Sequence, residues 1–225
     1  MSSTPPYARL LRLMLIALFT AAAQATARDT SADPAPATLH AQMRQISADP
    51  GSLSEALRRG QQSAAVCRHC HGAGGNSVLP EVPNLASQNA GYLLEQMNKF
   101  ALGQRKSSAF MEGMIKALTP DERIAVALFL SQQPVVRKPA AARTHSVAGK
   151  RLYDKLCVSC HGADGRGTDT IPRLAGQQVK YLEDALTRYR SGNGERVDPR
   201  MAAYTRNLKD TDIRNLAAYL TVLQP

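Results

Sequence analysis

The string CRHCH at residues 67–71 returns as CVSCH at residues 157–161, and the two strings contain all four cysteines of the 225-residue chain. Two cysteines separated by two residues and followed by histidine form the pattern of covalent c-type haem attachment. On one helical turn, both thiols can add to the vinyl groups of a haem while the histidine offers a nitrogen to its iron. The doubled string therefore predicts a protein that carries two haems and transfers electrons.

Two other interpretations fit a Cys-x-x-Cys pair taken alone. A redox dithiol of the thioredoxin type belongs to a βαβ pattern, and the sequence has no strand-rich segment. A four-cysteine zinc site would join the two pairs, but it would leave both histidines without a role. Haem is the leading interpretation, with zinc or a disulfide as the alternatives.

The N-terminus is typical of a secretory signal peptide over residues 1–27. Arg9 and Arg12 give it a positive start, residues 13–23 form an apolar run too short to span a bilayer, and residues 25–27 offer a small-x-small cleavage site. We therefore expect export to the periplasm, an oxidising compartment in which haem attachment would capture cysteines that otherwise form disulfides.

The chain is basic, with a formal net charge of +10 that falls to +8 when the two signal-peptide arginines, Arg9 and Arg12, are removed. A positive balance favours an acidic redox partner or peripheral association with an anionic membrane surface, although it can also serve solubility alone. Its lysines and arginines are scattered without an aromatic-basic platform, so no nucleic-acid partner is expected.

The sequence repeats beyond the two strings, which predicts an all-α fold of two tandem haem domains. We place the first domain at residues 51–133 and the second at residues 146–225, joined by a proline-rich linker at residues 134–145 and preceded by a polar tail at residues 28–50. The matching positions include Pro83 and Pro172, Gln88 and Gln177, Tyr92 and Tyr181, and Met111 and Met201.

Helix signals support this organisation. Apolar periodicity and caps predict helices over residues 52–70, 91–102 and 120–133 in the first copy, over 147–160, 178–190 and 210–223 in the second, and a short one over 38–46 in the tail. The clearest start is Thr119-Pro120-Asp121-Glu122, which combines a cap, a proline at the first helical position and a glutamate three residues after the cap.

His71 and His161 are the expected axial ligands on one side of each iron. His69 occupies an x position of its string, so we interpret it as a surface or rim residue. Pro83 and Pro172 follow the strings and each offers a backbone carbonyl that can orient the ligating histidine. An equal alternative is that both prolines only rigidify a turn.

A methionine is the expected ligand on the opposite side. Met201 is the only methionine after the second string, whereas the first copy offers Met97, Met111 and Met114. Met111 aligns with Met201, and each lies 40 residues after the histidine of its own string, from 71 to 111 and from 161 to 201. Paired histidine and methionine ligands raise the reduction potential and close the iron to other ligands, which suits an electron carrier.

The leading function is accordingly a dihaem electron carrier, not an enzyme. A dihaem peroxidase needs one iron with an open position, and the equal histidine-to-methionine spacing argues against such asymmetry. A haem subunit of a dehydrogenase complex uses the same chemistry and stays open as an alternative.

Several segments resemble class I cytochromes c, and their doubling is similar to the cytochrome c4 family of dihaem cytochromes. The resemblance is carried by CHGAGGNSVLPEVPNLASQNAGYL at residues 70–93 and CHGADGRGTDTIPRLAGQQVKYL at residues 160–182. It implies two helical haem domains related by a pseudo-twofold axis, with haem propionate edges facing across their interface. One departure is LASQ, with Ser87, where the second copy has the usual LAGQ.

The resemblance also implies functional residues and partners. The implied set is thioether attachment through Cys67, Cys70, Cys157 and Cys160, iron ligation by His71 with Met111 and by His161 with Met201, and orientation of the histidines by Pro83 and Pro172. Family members are periplasmic, often associate with membranes, and pass electrons from respiratory donors to terminal oxidases or other reductases.

Overall fold

The computed structural model describes residues 34–106, 108–136, 143–192, 196 and 198–223, and every regular element within them is a helix. The predicted signal peptide at residues 1–27 lies outside the described residues. The helices of the first half are α1 (Pro36–Ala48), α2 (Pro50–Ser63), α3 (Arg68–His71), α4 (Ala90–Ala101), α5 (Ala109–Lys116) and α6 (Pro120–Ser131). Those of the second half are α7 (Arg143–Leu156), α8 (Val158–His161), α9 (Val179–Ser191), α10 (Pro199–Thr205) and α11 (Asp210–Val222).

In each half, the helix before the haem string crosses the last helix at a glycine. A Cβ atom added to Gly60 in α2 would lie 2.1 Å from the carbonyl oxygen of Ala125 in α6. One added to Gly149 in α7 would lie 2.0 Å from the carbonyl oxygen of Asn215 in α11. Only glycine permits these backbones to approach so closely, and the crossings set the position of each Cys-x-x-Cys-His string.

Each half has its own apolar core. Leu94 of α4 and Ile124 of α6 lie in the first core, and Leu216 and Leu220 of α11 lie in the second. The start predicted for α6 is confirmed, because the Thr119 hydroxyl accepts from the Glu122 amide and the Glu122 carboxylate accepts from the Thr119 amide.

The structure differs from the sequence predictions in two respects. The helices predicted over 52–70 and 147–160 are each interrupted before the histidine, by a turn at residues 64–67 and at residue 157. The segments around Met111 and Met201, where the sequence predicts no helix, form the short helices α5 and α10. Side-chain caps explain this. Ser108 before α5 and Asp198 before α10 accept hydrogen bonds from backbone amides of the first helical turn, which otherwise have no acceptor within the helix.

The tail before the first domain is more ordered than its polar composition suggested. Helix α1 extends beyond the predicted 38–46, and its Leu39 and Met43 are buried against the first core. The side chain of Gln42 donates to the carboxylate of Asp121 at 2.8 Å, which ties α1 to the start of α6. None of the helices described is long and apolar enough to cross a membrane.

Candidate haem sites

The first string forms a single helical turn that presents its histidine to the interior. The amides of Cys70 and His71 donate to the carbonyl of Cys67 at 3.3 and 2.9 Å. Cys70 is exposed, whereas the His71 side chain is buried. Its Nδ1 lies 3.0 Å from the carbonyl oxygen of Pro83. Because a carbonyl only accepts, Nδ1 carries the proton and Nε2 is left as the nitrogen available to a metal.

The second string repeats this geometry with a different sequence. The amides of Cys160 and His161 donate to the carbonyl of Cys157 at 3.3 and 3.0 Å, and His161 Nδ1 lies 3.0 Å from the carbonyl oxygen of Pro172. The corresponding distances in the two copies agree within 0.1 Å. Both prolines therefore do more than rigidify a turn, since each carbonyl holds a histidine in one orientation and one tautomer.

Burial favours the neutral form of both histidines. Removal from water lowers the pKa of His71 and of His161, and this outweighs the opposite effect of the proline carbonyls. The positive charges of Arg105 near His71 and of Arg200 near His161 lower each pKa further. A neutral imidazole has the free lone pair that a metal ligand needs.

The arrangement of the cysteines fits haem better than zinc. All four thiols are free. Burial raises the pKa of Cys67, and it raises the pKa of Cys157 to about 11. Within the described part of the chain, no three His, Cys, Asp or Glu side chains converge as a metal site.

The two candidate methionines occupy equivalent places. Met111 is the third residue of α5, and its amide donates to the Ser108 hydroxyl at 3.3 Å. Met201 is the third residue of α10, and its amide donates to the Asp198 carboxylate at 3.2 Å. Both are partly buried. Met97, by contrast, is only 8% exposed within the first core, as expected for a packing residue.

The two halves meet through contacts that repeat across a pseudo-twofold axis. The amide of Tyr92 donates to the carbonyl of Asp169 at 2.8 Å, and the aligned Tyr181 donates to the carbonyl of Pro80, which aligns with Asp169, at 3.0 Å. Such reciprocity is the signature of an isologous interface. The guanidinium of Arg173 adds hydrogen bonds to carbonyls of the first half, from Nη2 to Ala86 at 2.6 Å and from Nε to Ser87 at 3.0 Å.

A buried arginine links tyrosines of both halves at this interface. Arg196 donates to the hydroxyls of Tyr189, Tyr181 and Tyr92 at 2.7, 2.8 and 2.7 Å. Tyr92 belongs to the first half and the other two to the second. The guanidinium of Arg196 also lies 5.0 Å from the ring centre of Tyr189. No sequence signal marks Arg196, because it lies outside the matched positions of the two copies and contacts Tyr92 only in the folded chain.

The cytochrome c family model matches residues 57–134 and 146–224, one match for each half. A cytochrome c4 of Azotobacter vinelandii is 35% identical over 186 residues, which cover 72% of this chain and 86% of that protein. A thiosulfate dehydrogenase electron acceptor of Thiomonas intermedia (strain K12) is 34% identical over 166 residues, covering 68% and 76% of the two chains. The crystal structure of reduced recombinant cytochrome c4 from Pseudomonas stutzeri matches with a TM-score of 0.67 and 30% identity, covering 73% of this chain and 97% of that one.

Helical domains in tandem, each built around a Cys-x-x-Cys-His turn, define a dihaem c-type cytochrome. The chain belongs to the cytochrome c family and, within it, to the cytochrome c4 group of electron carriers. It carries two covalently attached haem c groups, one for each string. Haem supplies the reversible one-electron change between ferric and ferrous iron.

Proposed function

We propose that this protein is a periplasmic electron carrier that connects respiratory donors with a terminal oxidase or reductase. In this proposal the cysteines of each string hold haem through thioether bonds, and a histidine and a methionine bind its iron from opposite sides. The assigned iron ligands are His71 with Met111 and His161 with Met201, and the positioning residues are Pro83 and Pro172.

The observation that supports this proposal is that the two sites have the same histidine geometry and the same placement of the methionine. Each histidine has its Nδ1 at 3.0 Å from a proline carbonyl, and each methionine is the third residue of a capped short helix. A peroxidase would need one iron with an open position and polar groups beside it. Two sites with the same ligands and the same support are suited to passing electrons, because neither iron changes its coordination.

The two sites differ in the surface they offer to partners, which favours different donors and acceptors. Phe110, directly before Met111, is 66% exposed. The aligned residue before Met201 is Arg200, also exposed and paired with Asp198 at 3.3 Å. An exposed aromatic residue is suited to a close apolar contact, whereas an arginine is suited to an acidic partner.

A potentiometric titration followed by visible and near-infrared spectroscopy tests the proposal. We expect two haems per chain, a methionine-to-iron charge-transfer band for each ferric haem, and two one-electron steps of unequal potential. Haem released from the denatured protein by acid acetone would contradict covalent attachment. Absence of the methionine band would contradict the ligand assignment.

The similarity to the thiosulfate dehydrogenase electron acceptor favours a second candidate, a carrier dedicated to one dehydrogenase. The two candidates share their haem chemistry and differ in the donor. Rapid mixing of the oxidised protein with thiosulfate and such a dehydrogenase separates them. Reduction within the turnover time of the enzyme would support the dedicated carrier, and no reduction would favour a general respiratory donor.

A further inference from the structure

The two halves differ at one buried position behind the haem strings. Ala64 and Tyr153 each lie four residues after the glycine at which the helices cross. The carbonyl of Ala64 accepts the amide of Cys67 at 3.0 Å, and the carbonyl of Tyr153 accepts the amide of Cys157 at 2.8 Å. The two residues are therefore structural equivalents, and the second half has a phenol where the first has a methyl group.

In the second half, the buried phenol reaches the backbone directly after the histidine. Tyr153 is fully buried, and its ring lies 5.5 Å from that of Tyr219. Its hydroxyl donates to the carbonyl of Gly162, directly after His161, at 2.5 Å. The amide of Gly165 also donates to that carbonyl, at 3.2 Å. The Gly162 carbonyl thus has two donors.

In the first half, a partly open cavity of about 20 Å³ lies against Ala64, the residue equivalent to Tyr153. Its lining includes Ala64, Cys67, His71, Gly72 and Phe129, and Phe129 aligns with Tyr219. Among the described residues, the carbonyl of Gly72 accepts one backbone amide, that of Gly75 at 3.1 Å. The position of the Tyr153 hydroxyl therefore has no protein counterpart here.

We propose that this cavity binds one ordered water molecule, which donates to the Gly72 carbonyl in place of the missing phenol. A water molecule needs about 10–15 Å³ of accessible volume and two to four polar partners. The cavity meets the volume and offers the Gly72 carbonyl, and its open side lets solvent supply the remaining partners. The inference rests on the proposed role of His71 as an iron ligand, because His71 lines the cavity.

The bound water makes the surroundings of the first haem more polar than those of the second. Ferric haem carries one more positive charge than ferrous haem, so a polar environment stabilises the ferric form and lowers the reduction potential. Ala64 and Tyr153 are accordingly positioning residues that separate the two potentials. The difference is built into the core and does not depend on surface charge.

Reciprocal substitutions in the full holoprotein test this inference, with each haem's potential followed by NMR during a redox titration. Ala64→Leu fills the cavity, and we expect the first potential to rise while the second stays unchanged. Tyr153→Ala opens the equivalent space, and we expect the second potential to fall. Ala65→Leu is the matched control, because Ala65 is exposed and does not line the cavity; it should shift neither potential.

A high-resolution crystal structure provides an independent measurement that does not depend on the variants folding. Electron density for a water within hydrogen-bond distance of the Gly72 carbonyl supports the inference, and a dry cavity overturns it. An unchanged first potential in folded Ala64→Leu also overturns it. Visible spectra of the same samples report histidine and methionine ligation, so failure of the proposed function is distinguishable from failure of the water site.

Discussion

The side-chain amide of Gln88 binds both backbone groups of Arg173. Its Oε1 accepts the Arg173 amide at 2.8 Å, and its Nε2 donates to the Arg173 carbonyl at 3.0 Å. Gln177, which aligns with Gln88, repeats this on Asn84, which aligns with Arg173, at 2.7 and 3.0 Å. Each half therefore uses one glutamine to bind the backbone of the other, next to the prolines that hold the two histidines.

Replacing Gln88 by alanine removes both hydrogen bonds and leaves two buried backbone groups without partners. We expect the free energy of unfolding to fall by about 2 kcal/mol or more, since each unsatisfied buried group costs roughly 1–3 kcal/mol. Gln177→Ala should have a similar effect, and chemical denaturation followed by circular dichroism measures both. Gln61→Ala, at an exposed position of α2, is the control. A loss no larger than that of the control would show that the interface does not depend on these glutamines.

Ser87 adopts a left-handed backbone conformation, with φ of 53°, at the position where the second half has Gly176 with φ of 69°. A side chain in this conformation destabilises the folded protein by roughly 1–2 kcal/mol. Glycine removes that cost but destabilises the folded protein by about 0.5–1 kcal/mol, because it loses more conformational freedom on folding. We therefore expect Ser87→Gly to stabilise the protein by up to about 1 kcal/mol in thermal unfolding. Gly176→Ala should destabilise it, and a destabilised Ser87→Gly variant would contradict this account.

Removal of a ligating methionine should open one iron at a time. We expect Met201→Ala to retain both covalent haems and to bind carbon monoxide at the second ferrous haem, and Met111→Ala to do so at the first. The visible absorption change on adding carbon monoxide measures this. Met97→Leu preserves the apolar volume of a core methionine and should bind none. Equal carbon monoxide binding by the unaltered protein at both haems would refute the assignment.

One tyrosine of the cluster around Arg196, Tyr181, should titrate at an unusually low pH. Burial alone raises the pKa of Tyr181, but the charges of Arg196 and Arg105 and their hydrogen bonds lower it to about 8, whereas burial raises the pKa of Tyr92 to about 12. We expect a tyrosinate signal with a midpoint near pH 8 in NMR spectra of ring-labelled tyrosine, and its loss in Tyr181→Phe.

The same shift predicts how stability depends on pH. Because the folded pKa of Tyr181 lies below its unfolded value near 10, the unfolded chain binds more protons between pH 8 and 10. The free energy of unfolding should therefore gain a contribution as the pH rises through this range and lose it as the pH falls through 8. Arg196→Met should abolish this contribution, whereas Tyr204→Phe, at an exposed position, should retain it. A slope unchanged by Arg196→Met would rule out the arginine as its cause.

Much of the local structure was predictable because its causes are local. The capping box at Thr119 and Glu122 acts within four residues, and α6 begins where it predicts. Helices α4, α9 and α11 begin and end within about a residue of the predicted bounds. The break between Ser63 and Arg68 was missed, because the apolar pattern continues through it while the turn depends on how the string packs.

Sequence alone determined the cofactor chemistry and the tandem helical organisation of this protein. Covalent haem attachment depends on a five-residue string, and a duplicated string with equal histidine-to-methionine spacing needs no tertiary knowledge to be recognised. Only the tertiary structure decided the roles of Gln88, Arg196 and Ala64. Gln88 and Arg196 bind groups that lie far apart in the sequence and meet only in the folded chain. Ala64 acts through the cavity that its small side chain leaves, and this cavity exists only when the helices have packed.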